Sequence, residues 1–489
     1  MSEPNLPNWV VLKFGGTSVR TIERWRSIAD TLRARLEEGA QPVVVCSALA
    51  GGSDLLEDLL SSAEAGAEIQ PTLDTLARTH HELAEAMELD AADVIGDYLD
   101  ELNRLATGAL MLEEASPRIR ARVMSMGELM STRLGAAWLT KHGIPTAWQD
   151  ARELLCANTD PHTMANAPAR HYLSATCSFD NDPELSRRFE QVDGKVVLTQ
   201  GFIAADQEGD TVLLGRGGSD TSAAYFAAKL QATRLEIWTD VPGMFSANPR
   251  SIPQARLLRR LRYQEAEELA LMGGKVLHPR CIAPVAQAQI PLHIKCTSAP
   301  DMIGTVITSG VPHGTPRVKA VSLRKGIHLF DVKPNRTLQN VGFLESCAAC
   351  FARWNLSIDM VAASETSMTF SVDPGVSHID ESVIMGVVND LHAVAPAKYL
   401  GKAAALSVVG TRIPAVLHEL GQIFEFFEDH DVYMVSQAAD AMNFTVLIGE
   451  DAADELVGTL HDRLLADADD DPVFGPPWRE IFPASAAAQ

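Results

Sequence analysis

The chain has 489 residues, 46% of them hydrophobic and 21% charged, and its formal net charge at pH 7 is −23. Its length predicts about three domains, counted at roughly 150 residues each, and no apolar run approaches the roughly 20 residues that a membrane-spanning helix needs. The acidic balance argues against nucleic acid and anionic membranes as partners, because both reward a basic protein face.

The segment before Trp9 has neither a basic region nor an apolar core, so we expect no secretory signal and a cytoplasmic protein. The seven cysteines have no framework spacing, which is typical of reduced thiols. Cys347 and Cys350 form a C-x-x-C pair within an amphipathic helical pattern, which favours packing over redox or metal chemistry.

Short apolar runs alternate with helical patterns through the first part of the chain. Strand patterns fall at residues 9–14, 42–47, 145–149, 196–203 and 234–239. Helical patterns fall at 21–38, from 53 onward and, as two or three inserted helices, over 63–116. This alternation is typical of βαβ units. We therefore expect an α/β fold of three layers with a central, mostly parallel sheet over residues 1–312.

The pattern changes near residue 312 to strand, helix, strand, strand on a shorter period. The predicted elements are strand 326–332, helix 343–354 and strands 356–362 and 367–372. A weaker copy follows, with strand 405–409, helix 415–427 and strands 432–437 and 443–448. Such a repeat predicts two related βαββαβ modules within 313–465. Residues 466–489, acidic and then rich in Ala and Pro, are expected to form a loose tail.

The first motif that carries chemistry runs from Lys13 through Gly15 and Gly16 to Thr17 and Ser18. Glycines let a backbone approach a phosphate closely, and the hydroxyls, amides and dipole of a helix start favour an anion. Lys13 adds a point charge. The spacing is not that of a Walker A loop, and taken alone a glycine pair after a strand is more often only a tight turn.

The second motif, residues 215–222, repeats the design of strand, glycine turn and helix start, and it adds Arg216 and Asp220. A bidentate arginine is the usual clamp for a carboxylate, and an aspartate can fix the position and charge of a lysine. Two such turns in one domain favour an anion site over two purely structural turns.

A third feature is the end of the strand pattern at Thr239 and Asp240, where open α/β sheets place their ligand groups. Just beyond it, Phe245 could lie on a purine and Arg250 could reach phosphates. The plain alternative is a proline-rich loop with a capped end.

Two further segments contain isolated charges. Glu128 lies among apolar neighbours, and a buried carboxylate needs a cationic partner such as an α-ammonium group. Lys275 follows a glycine pair, as Lys13 precedes one. His278 stands beside a proline and is interpreted as a structural residue rather than a base.

The order and approximate spacing of five segments resemble aspartate kinases, in the amino-acid kinase superfamily. These segments are residues 13–18, 127–128, 215–220, 238–243 and 275–279. The resemblance implies transfer of the γ-phosphoryl group of ATP, accompanied by Mg²⁺, to the β-carboxylate of L-aspartate. The product would be 4-phospho-L-aspartate.

The resemblance also implies roles for individual residues. Lys13 would neutralise charge on the transferring phosphoryl group and Asp220 would hold that lysine, so both are expected to be catalytic. The expected aspartate-binding residues are Ser47, Ser53, Glu128, Phe202, Arg216 and Ser219. The expected ATP-binding residues are Lys13, Gly15, Gly16, Thr239, Asp240, Phe245, Arg250 and Lys275.

Three positions depart from the pattern of the family. Ser53 stands where many relatives have Thr, Phe245 where many have Tyr, and Asn248 where Asp is common. We expect these changes to alter affinities without abolishing activity.

The two C-terminal modules resemble the ACT domains with which such kinases sense amino acids. By this resemblance the effector-binding residues are Asn340, Gly342, Phe343, Leu344, Asp359, Ser364 and Glu365. Lysine is the expected effector, with threonine or no effector as the alternatives. Paired ACT modules also predict a homodimer or a higher oligomer.

Other interpretations remain open at this point. Another amino-acid kinase, such as glutamate 5-kinase, shares the glycine turns, and an amino-acid sensor could carry a decayed kinase domain. The presence of Lys13, Arg216 and Asp220 argues against decay. Some aspartate kinases are fused to homoserine dehydrogenase or diaminopimelate decarboxylase, so the chain could be the kinase part of a fusion.

Overall fold

The computed structural model describes residues 7–159, 164, 167–274, 276–310, 317–334, 341–374, 379–416, 430–437, 442–465 and 472–483. These residues form two compact units. The first unit comprises the described residues within Met1–Met244, Arg259–Tyr263 and Lys275–Gly310, and the second those within Phe245–Leu258, Gln264–Gly274 and Val311–Gln489. The division predicted at residue 312 therefore differs for two short segments, 245–258 and 264–274, which group with the C-terminal region.

The strands, in chain order, are β1 (Trp9–Phe14), β2 (Gln41–Cys46), β3 (Thr146–Trp148), β4 (Val196–Gln200), β5 (Ile203–Ala205), β6 (Thr211–Leu213), β7 (Arg234–Thr239), β8 (Arg256–Leu258), β9 (Arg260–Leu261), β10 (Leu292–Cys296), β11 (Thr305–Ile307), β12 (Arg317–Val332), β13 (Ile358–Ala363), β14 (Met368–Val372), β15 (Ala397–Thr411), β16 (Val432–Ser436), β17 (Asn443–Gly449) and β18 (Phe474–Pro477). The α-helices are α1 (Ile22–Glu37), α2 (Gly52–Glu64), α3 (Gln70–Ala86), α4 (Ala91–Leu112), α5 (Pro117–Lys141), α6 (Pro168–Leu173), α7 (Pro183–Glu190), α8 (Gly218–Leu230), α9 (Tyr263–Leu271), α10 (Ile282–Gln287), α11 (Phe343–Arg353), α12 (Glu381–Val394), α13 (Ala453–Leu464) and α14 (Trp478–Ile481).

The first unit is built on an eight-stranded sheet in the order β3-β4-β2-β1-β7-β10-β11-β9. Its strands from β3 to β10 pair in parallel, and only β10 and β11 pair antiparallel. Strands β1, β2, β4 and β7 are buried along nearly their whole length, which requires cover on both faces of the sheet. The predicted α/β fold with a mostly parallel sheet is confirmed.

Helices α3 and α4 are the helices expected within 63–116. Helix α4 begins where the Asp90 carboxylate accepts a hydrogen bond from the Ala92 amide at 2.9 Å, a standard N-terminal cap. Helix α5 is buried along most of its length and carries Glu128 into the interior of the first unit. Among the described helices, none combines the length and apolar character needed to cross a membrane.

The second unit contains a six-stranded antiparallel sheet in the order β13-β14-β12-β15-β17-β16. Strands β12 and β15 have 16 and 15 residues, and their pairing shifts register between Arg324 and Ile327. On one side of this shift they join β13, β14, α11 and α12 around one apolar core, in the predicted βαββαβ order. Cys347 and Cys350 lie in that core, which confirms that they serve packing.

In the second module the other half of β12 pairs with β15, β15 pairs with β17, and β17 pairs with β16. The strands predicted at 326–332 and 405–409 are therefore parts of longer strands that both modules share. The predicted helix at 415–427 falls mostly outside the described residues, which stop at 416 in this region. The prediction of two ACT-type modules is confirmed.

The expected loose tail contains ordered structure in its described part, residues 472–483. Strand β18 pairs antiparallel with β8, and α14 follows it directly. Phe474 and Pro477 are buried within the second unit. The prediction of a loose segment is wrong for these residues, because their apolar side chains find a partner strand from a distant part of the sequence.

Candidate active site

The motif residues of the first unit lie where parallel strands end. Strand β1 leads into Gly15, β2 into Ser47, β4 into Gly201 and β7 into Asp240. Because these strands are neighbours and run in the same direction, their carboxyl ends share one edge of the sheet. This is the edge at which open α/β sheets bind ligands.

An ion pair joins the two glycine turns at this edge. The Lys13 ammonium lies 2.7 Å from Oδ1 of Asp220, and both side chains are mostly shielded from solvent, at 13% and 14% exposure. Asp220 occupies the first turn of α8, where the helix dipole favours a negative charge. The lysine is therefore held in place by a charge on a second structural element.

The first glycine turn packs tightly against the loop that follows β2. A Cβ atom on Gly16 would come within 2.8 Å of the Ala48 carbonyl oxygen, so only glycine fits there. The Gly16 carbonyl accepts a hydrogen bond from the Ala50 amide, and the Ser47 amide donates to Phe14. The loop that carries Ser47 thus lies directly beside the turn that follows Lys13.

The second glycine turn requires glycine for a different reason. Gly217 adopts a left-handed backbone, with φ of 65°, and a Cβ atom there would overlap the His278 ring at 2.1 Å. The His278 Nδ1 atom accepts a hydrogen bond from the Arg280 amide at 3.3 Å and caps a short 3₁₀ turn. Burial lowers the pKa of His278, and nearby Arg280 acts in the same direction. His278 is thus a structural residue, as interpreted from the sequence.

Arg280 was missed by the sequence analysis. Its guanidinium donates hydrogen bonds to the carbonyls of Leu214, just before the second glycine turn, and of Ala175. It fixes the turn that carries Arg216. The signal in the sequence was a basic residue directly after the pair His278 and Pro279, within a segment already singled out.

Phe202 follows β4 and has an unusual backbone for a side chain of its size, with φ of 71°. Its amide donates to Ser222 Oγ at 2.9 Å, and its carbonyl accepts from the Leu214 amide at 2.8 Å. A Cβ atom on Gly218 would come within 2.6 Å of the Phe202 ring. The strained residue is therefore locked against the second glycine turn, and such strain is concentrated at functional sites.

Glu128 is a buried carboxyl group on α5. It is 2% exposed, and its Oε2 has no hydrogen-bond partner within the part of the chain that the structure describes. Burial raises the pKa of Glu128 to about 8, although a backbone hydrogen bond from Ala48 opposes the shift. The preceding Gly127 packs against Ala48, so the carboxyl lies beside the same loop as Ser47.

Other predicted aspartate-binding residues lie on the same elements. Ser53 occupies the first turn of α2, and Ser219 the first turn of α8. A Cβ atom on Gly201 would meet Ser219 at 2.6 Å, so the end of β4 touches the second glycine turn. Arg216 is exposed within that turn. The structure thus brings Lys13 and most of the predicted aspartate-binding residues to one edge.

The predicted ATP-binding residues divide between the two units. Thr239 is the last residue of β7 and Asp240 follows it, and the Thr239 hydroxyl donates to the Asp240 carboxylate at 3.1 Å. The Thr239 carbonyl accepts from the Thr297 hydroxyl at 2.7 Å, and Thr297 in turn contacts Ser18 at 3.2 Å. The sequence analysis missed Thr297. Phe245 and Arg250 belong to the second unit, and Lys275 lies outside the described residues.

The predicted effector residues lie in the first module of the second unit. Helix α11 begins directly after Gly342, with Phe343 packed on the module core and Leu344 exposed. Asp359 on β13 forms an ion pair with Arg324 at 2.6 Å. Ser364 and the exposed Glu365 follow β13, and Asn340 lies outside the described residues.

No group of three or more His, Cys, Asp or Glu side chains suited to a metal ion occurs in the described ranges. Mg²⁺ takes few protein ligands when it arrives on nucleotide phosphates.

Comparisons with known proteins agree with this arrangement. The sequence profile of the amino acid kinase family matches residues 8–296. Lysine-sensitive aspartokinase 3 of Escherichia coli strain K12 is 30% identical over 462 residues, which cover 93% of this chain and 99% of that protein. The fold is similar to that of E. coli aspartokinase III in complex with aspartate and ADP, with a TM-score of 0.79, 27% identity and coverage of 93% and 99%. The complex of that enzyme with lysine and aspartate gives a TM-score of 0.72, 28% identity and coverage of 94% and 99%.

Proposed function

Because this chain belongs to the amino acid kinase family and, within it, to the aspartokinases, we propose that the sheet edge of its first unit carries out the phosphoryl transfer. The enzyme is an ATP-dependent aspartate kinase. The proposed reaction moves the γ-phosphoryl group of ATP to the β-carboxylate of L-aspartate. The ion pair of Lys13 with Asp220 between two glycine turns is the observation that carries the assignment of roles.

The chemistry asks for positioning and charge neutralisation. The attacking carboxylate is ionised at neutral pH, so the reaction needs no general base. Lys13 neutralises negative charge on the transferring group, and Asp220 keeps the ammonium at a fixed point, so that it does not reorganise during the reaction. Gly15 and Gly16 let the backbone approach the phosphates.

Aspartate binds through groups of opposite charge at its two ends. Arg216 clamps the α-carboxylate of the substrate, because a guanidinium matches a carboxylate with two parallel hydrogen bonds. Glu128 receives the α-ammonium group, which would supply the cation that its buried carboxylate lacks. Ser47, Ser53, Ser219 and Phe202 surround the reacting carboxylate.

The nucleotide lies against the ends of β1 and β7. Thr239 and Asp240 contact it there, and Phe245, Arg250 and Lys275 are the further nucleotide contacts that the family resemblance implies. Mg²⁺, held chiefly by the phosphates, would add positive charge at the transferring group. The local positive groups are needed because the chain as a whole carries a net charge of −23.

A hydroxamate assay tests this function. Purified protein with ATP, Mg²⁺ and L-aspartate should form aspartyl hydroxamate in the presence of hydroxylamine, and L-glutamate should give much less product. Product at the level of the blank would identify an amino-acid sensor without catalysis. Faster reaction with glutamate would identify a different amino-acid kinase.

The second unit is proposed to inhibit the enzyme when lysine is bound. Backbone groups from Gly342 to Leu344 take the α-groups of the effector, and Asp359 and Glu365 face its ε-ammonium group. Ser364 is a further effector contact. The E. coli relative is named lysine-sensitive, and one of its solved complexes contains lysine. Millimolar lysine should lower the initial rate; inhibition by threonine alone would reassign the effector.

Association through the ACT modules is proposed to give a homodimer or a higher oligomer. Strands β13 and β16 lie at the two ends of their sheet. Val361 on β13 and Val432 and Val435 on β16 are between 42% and 47% exposed, which is unusual for valine in a strand. Analytical ultracentrifugation of the full chain tests this, since a monomer at micromolar concentration would contradict it.

A further inference from the structure

The segment 245–258, called the nucleotide loop below, is folded back on itself within the second unit. Phe245 pairs with Leu257 in an isolated bridge. The Ser246 amide donates to the Arg256 carbonyl at 2.9 Å, and the Arg256 amide donates to Ser246 Oγ at 2.8 Å. The same hydroxyl lies 2.9 Å from Nε2 of His461 on α13. The loop is thus anchored at its base.

Residues 472–483, called the C-terminal clasp, hold the outer part of this loop. Strand β18 pairs with β8 in the loop. The amide of Trp478 donates to Ala255 at 2.9 Å, and the amide of Arg479 donates to Pro253 at 3.1 Å. These hydrogen bonds join backbone atoms and therefore form whatever side chains the clasp carries. Any effect of the clasp that depends on residue identity must come from one of its side chains.

Trp478 supplies that side chain. Its ring meets the Phe245 ring edge to face, with centroids 5.4 Å apart and planes at 76°, and it also packs on Phe482 at 4.4 Å. Phe245 is 8% exposed. Phe245 has no hydroxyl that could fix its orientation by a hydrogen bond. Its ring is oriented by packing, and Trp478 is the aromatic partner.

We propose that the C-terminal clasp, through Trp478, positions the nucleotide loop for ATP, and that Trp478 is a positioning residue of the kinase. The inference rests on the proposed function, in which Phe245 and Arg250 of this loop contact the nucleotide. A loop that is ordered before binding loses less conformational entropy when the nucleotide arrives, so its affinity is higher. Loss of Trp478 then weakens ATP binding and leaves the aspartate site unaffected.

Steady-state kinetics of the full chain test the proposal. Trp478→Ala should raise KM for ATP by about two- to tenfold, the range that an aromatic pair contributes, with KM for aspartate and kcat nearly unchanged. Trp478→Phe should restore most of the affinity. Glu480→Gln, a change at an exposed neighbour on α14, is the matched control and should behave as wild type. An unchanged KM for ATP in Trp478→Ala, or a parallel loss for both substrates together with a lower thermal midpoint, would overturn the proposal.

A fluorescence titration separates this inference from the proposed function. ADP should change the tryptophan emission of the wild type, and Trp478→Phe should remove most of that change, whether or not the protein forms hydroxamate. If the wild type makes no hydroxamate but shows the Trp478-dependent signal, the kinase assignment is wrong and the role of the clasp in nucleotide binding is supported. An ADP response that is equal in both proteins would overturn the role of the clasp.

Discussion

The Asp220 carboxylate lies 2.7 Å from the Lys13 ammonium, which joins two glycine turns from distant parts of the chain. Both side chains are largely withdrawn from solvent, so their attraction is screened less than that of a surface pair. A lysine held in this way presents its charge at one point of the sheet edge. A transferring phosphoryl group would meet a positive charge that is already in place.

The first prediction concerns this charge. Lys13→Ala should lower kcat by at least about a hundredfold, the typical effect of removing one preorganised group that stabilises a transition state. The hydroxamate assay measures the rate, and circular dichroism checks that the fold is retained. Lys141→Ala is the control, because Lys141 is an exposed lysine paired with Glu88. A kcat for Lys13→Ala close to that of wild type would rule out the assigned role.

The second prediction follows from the raised pKa of Glu128, about 8 in the absence of substrate. If its ionised form binds the ammonium group of aspartate, KM for aspartate should fall as the pH rises through about 8. Glu128→Gln should raise KM and remove this pH dependence. A wild-type KM that stays constant from pH 6.5 to about 9, a range that spans this pKa, would contradict the assignment.

The second prediction also has a stability part, which follows from the same pKa of Glu128. Between the ordinary pKa of a glutamate and about 8, the folded protein keeps a proton that the unfolded chain has lost. The contribution of Glu128 to the free energy of unfolding therefore decreases as the pH rises through that window, by up to about 1.4 kcal/mol per pH unit. Glu128→Gln should become more stable than wild type toward pH 8. Thermal midpoints of both proteins at pH 5 and 8 measure the difference, which should grow with pH.

The sequence predicted that the site lies at the carboxyl ends of the strands, because each glycine motif consists of a strand, a glycine turn and a helix start. Lys13, near the end of β1, and Asp220, in the first turn of α8, could be assigned to one site because each belongs to a motif of strand, glycine turn and helix start. Arg280 could be noticed in the sequence as a basic residue after His278 and Pro279, but its partners could not be predicted, because backbone carbonyls leave no pattern in the sequence. The left-handed backbone of Phe202 was hidden for a similar reason, since only Gly, Asn and Asp signal that conformation.

Differences in the second unit also have physical causes. The short strands predicted at 326–332 and 405–409 belong to the long strands β12 and β15, which continue through a register shift that periodicity cannot reveal. The pairing of β18 with β8 was missed because β18 is four residues long and ends in two prolines. Strands of this length have too few residues to show alternation.

The third prediction concerns the second glycine turn. Gly217→Ala adds both left-handed backbone strain and an overlap with the His278 ring. Gly209→Ala is a matched control, since Gly209 has φ of 85° but open space around its Cβ position. The control should lose about 1–2 kcal/mol of stability from backbone strain. Gly217→Ala should lose clearly more and should also lose activity; equal stability losses would show that the overlap relaxes without cost.

The fourth prediction concerns a buried ion pair in the second unit. Lys319 and Glu265 are 4% and 1% exposed, lie 2.6 Å apart, and Glu265 also accepts a hydrogen bond from Thr411. Lys319→Met should cost about 3–5 kcal/mol, because it removes one partner of a buried ion pair while the other charge stays buried. The double variant with Glu265→Gln should recover most of the loss. Urea unfolding measures both, and a double variant no more stable than Lys319→Met would contradict this explanation.

The last prediction separates two carboxylates that share one guanidinium. Arg324 binds Asp359 at 2.6 Å and Asp373 at 2.7 Å, but only Asp359 is proposed to face the effector. Asp359→Asn should raise the lysine concentration for half-maximal inhibition by at least about tenfold, the effect of losing one charge-assisted hydrogen bond. Asp373→Asn is the control and should shift it little. Each rate is normalised to the uninhibited rate of the same variant. An equal shift in both variants would mean that inhibition by lysine depends on the position of Arg324 and not on a direct contact with Asp359. A wild type that millimolar lysine does not inhibit would exclude lysine as the effector.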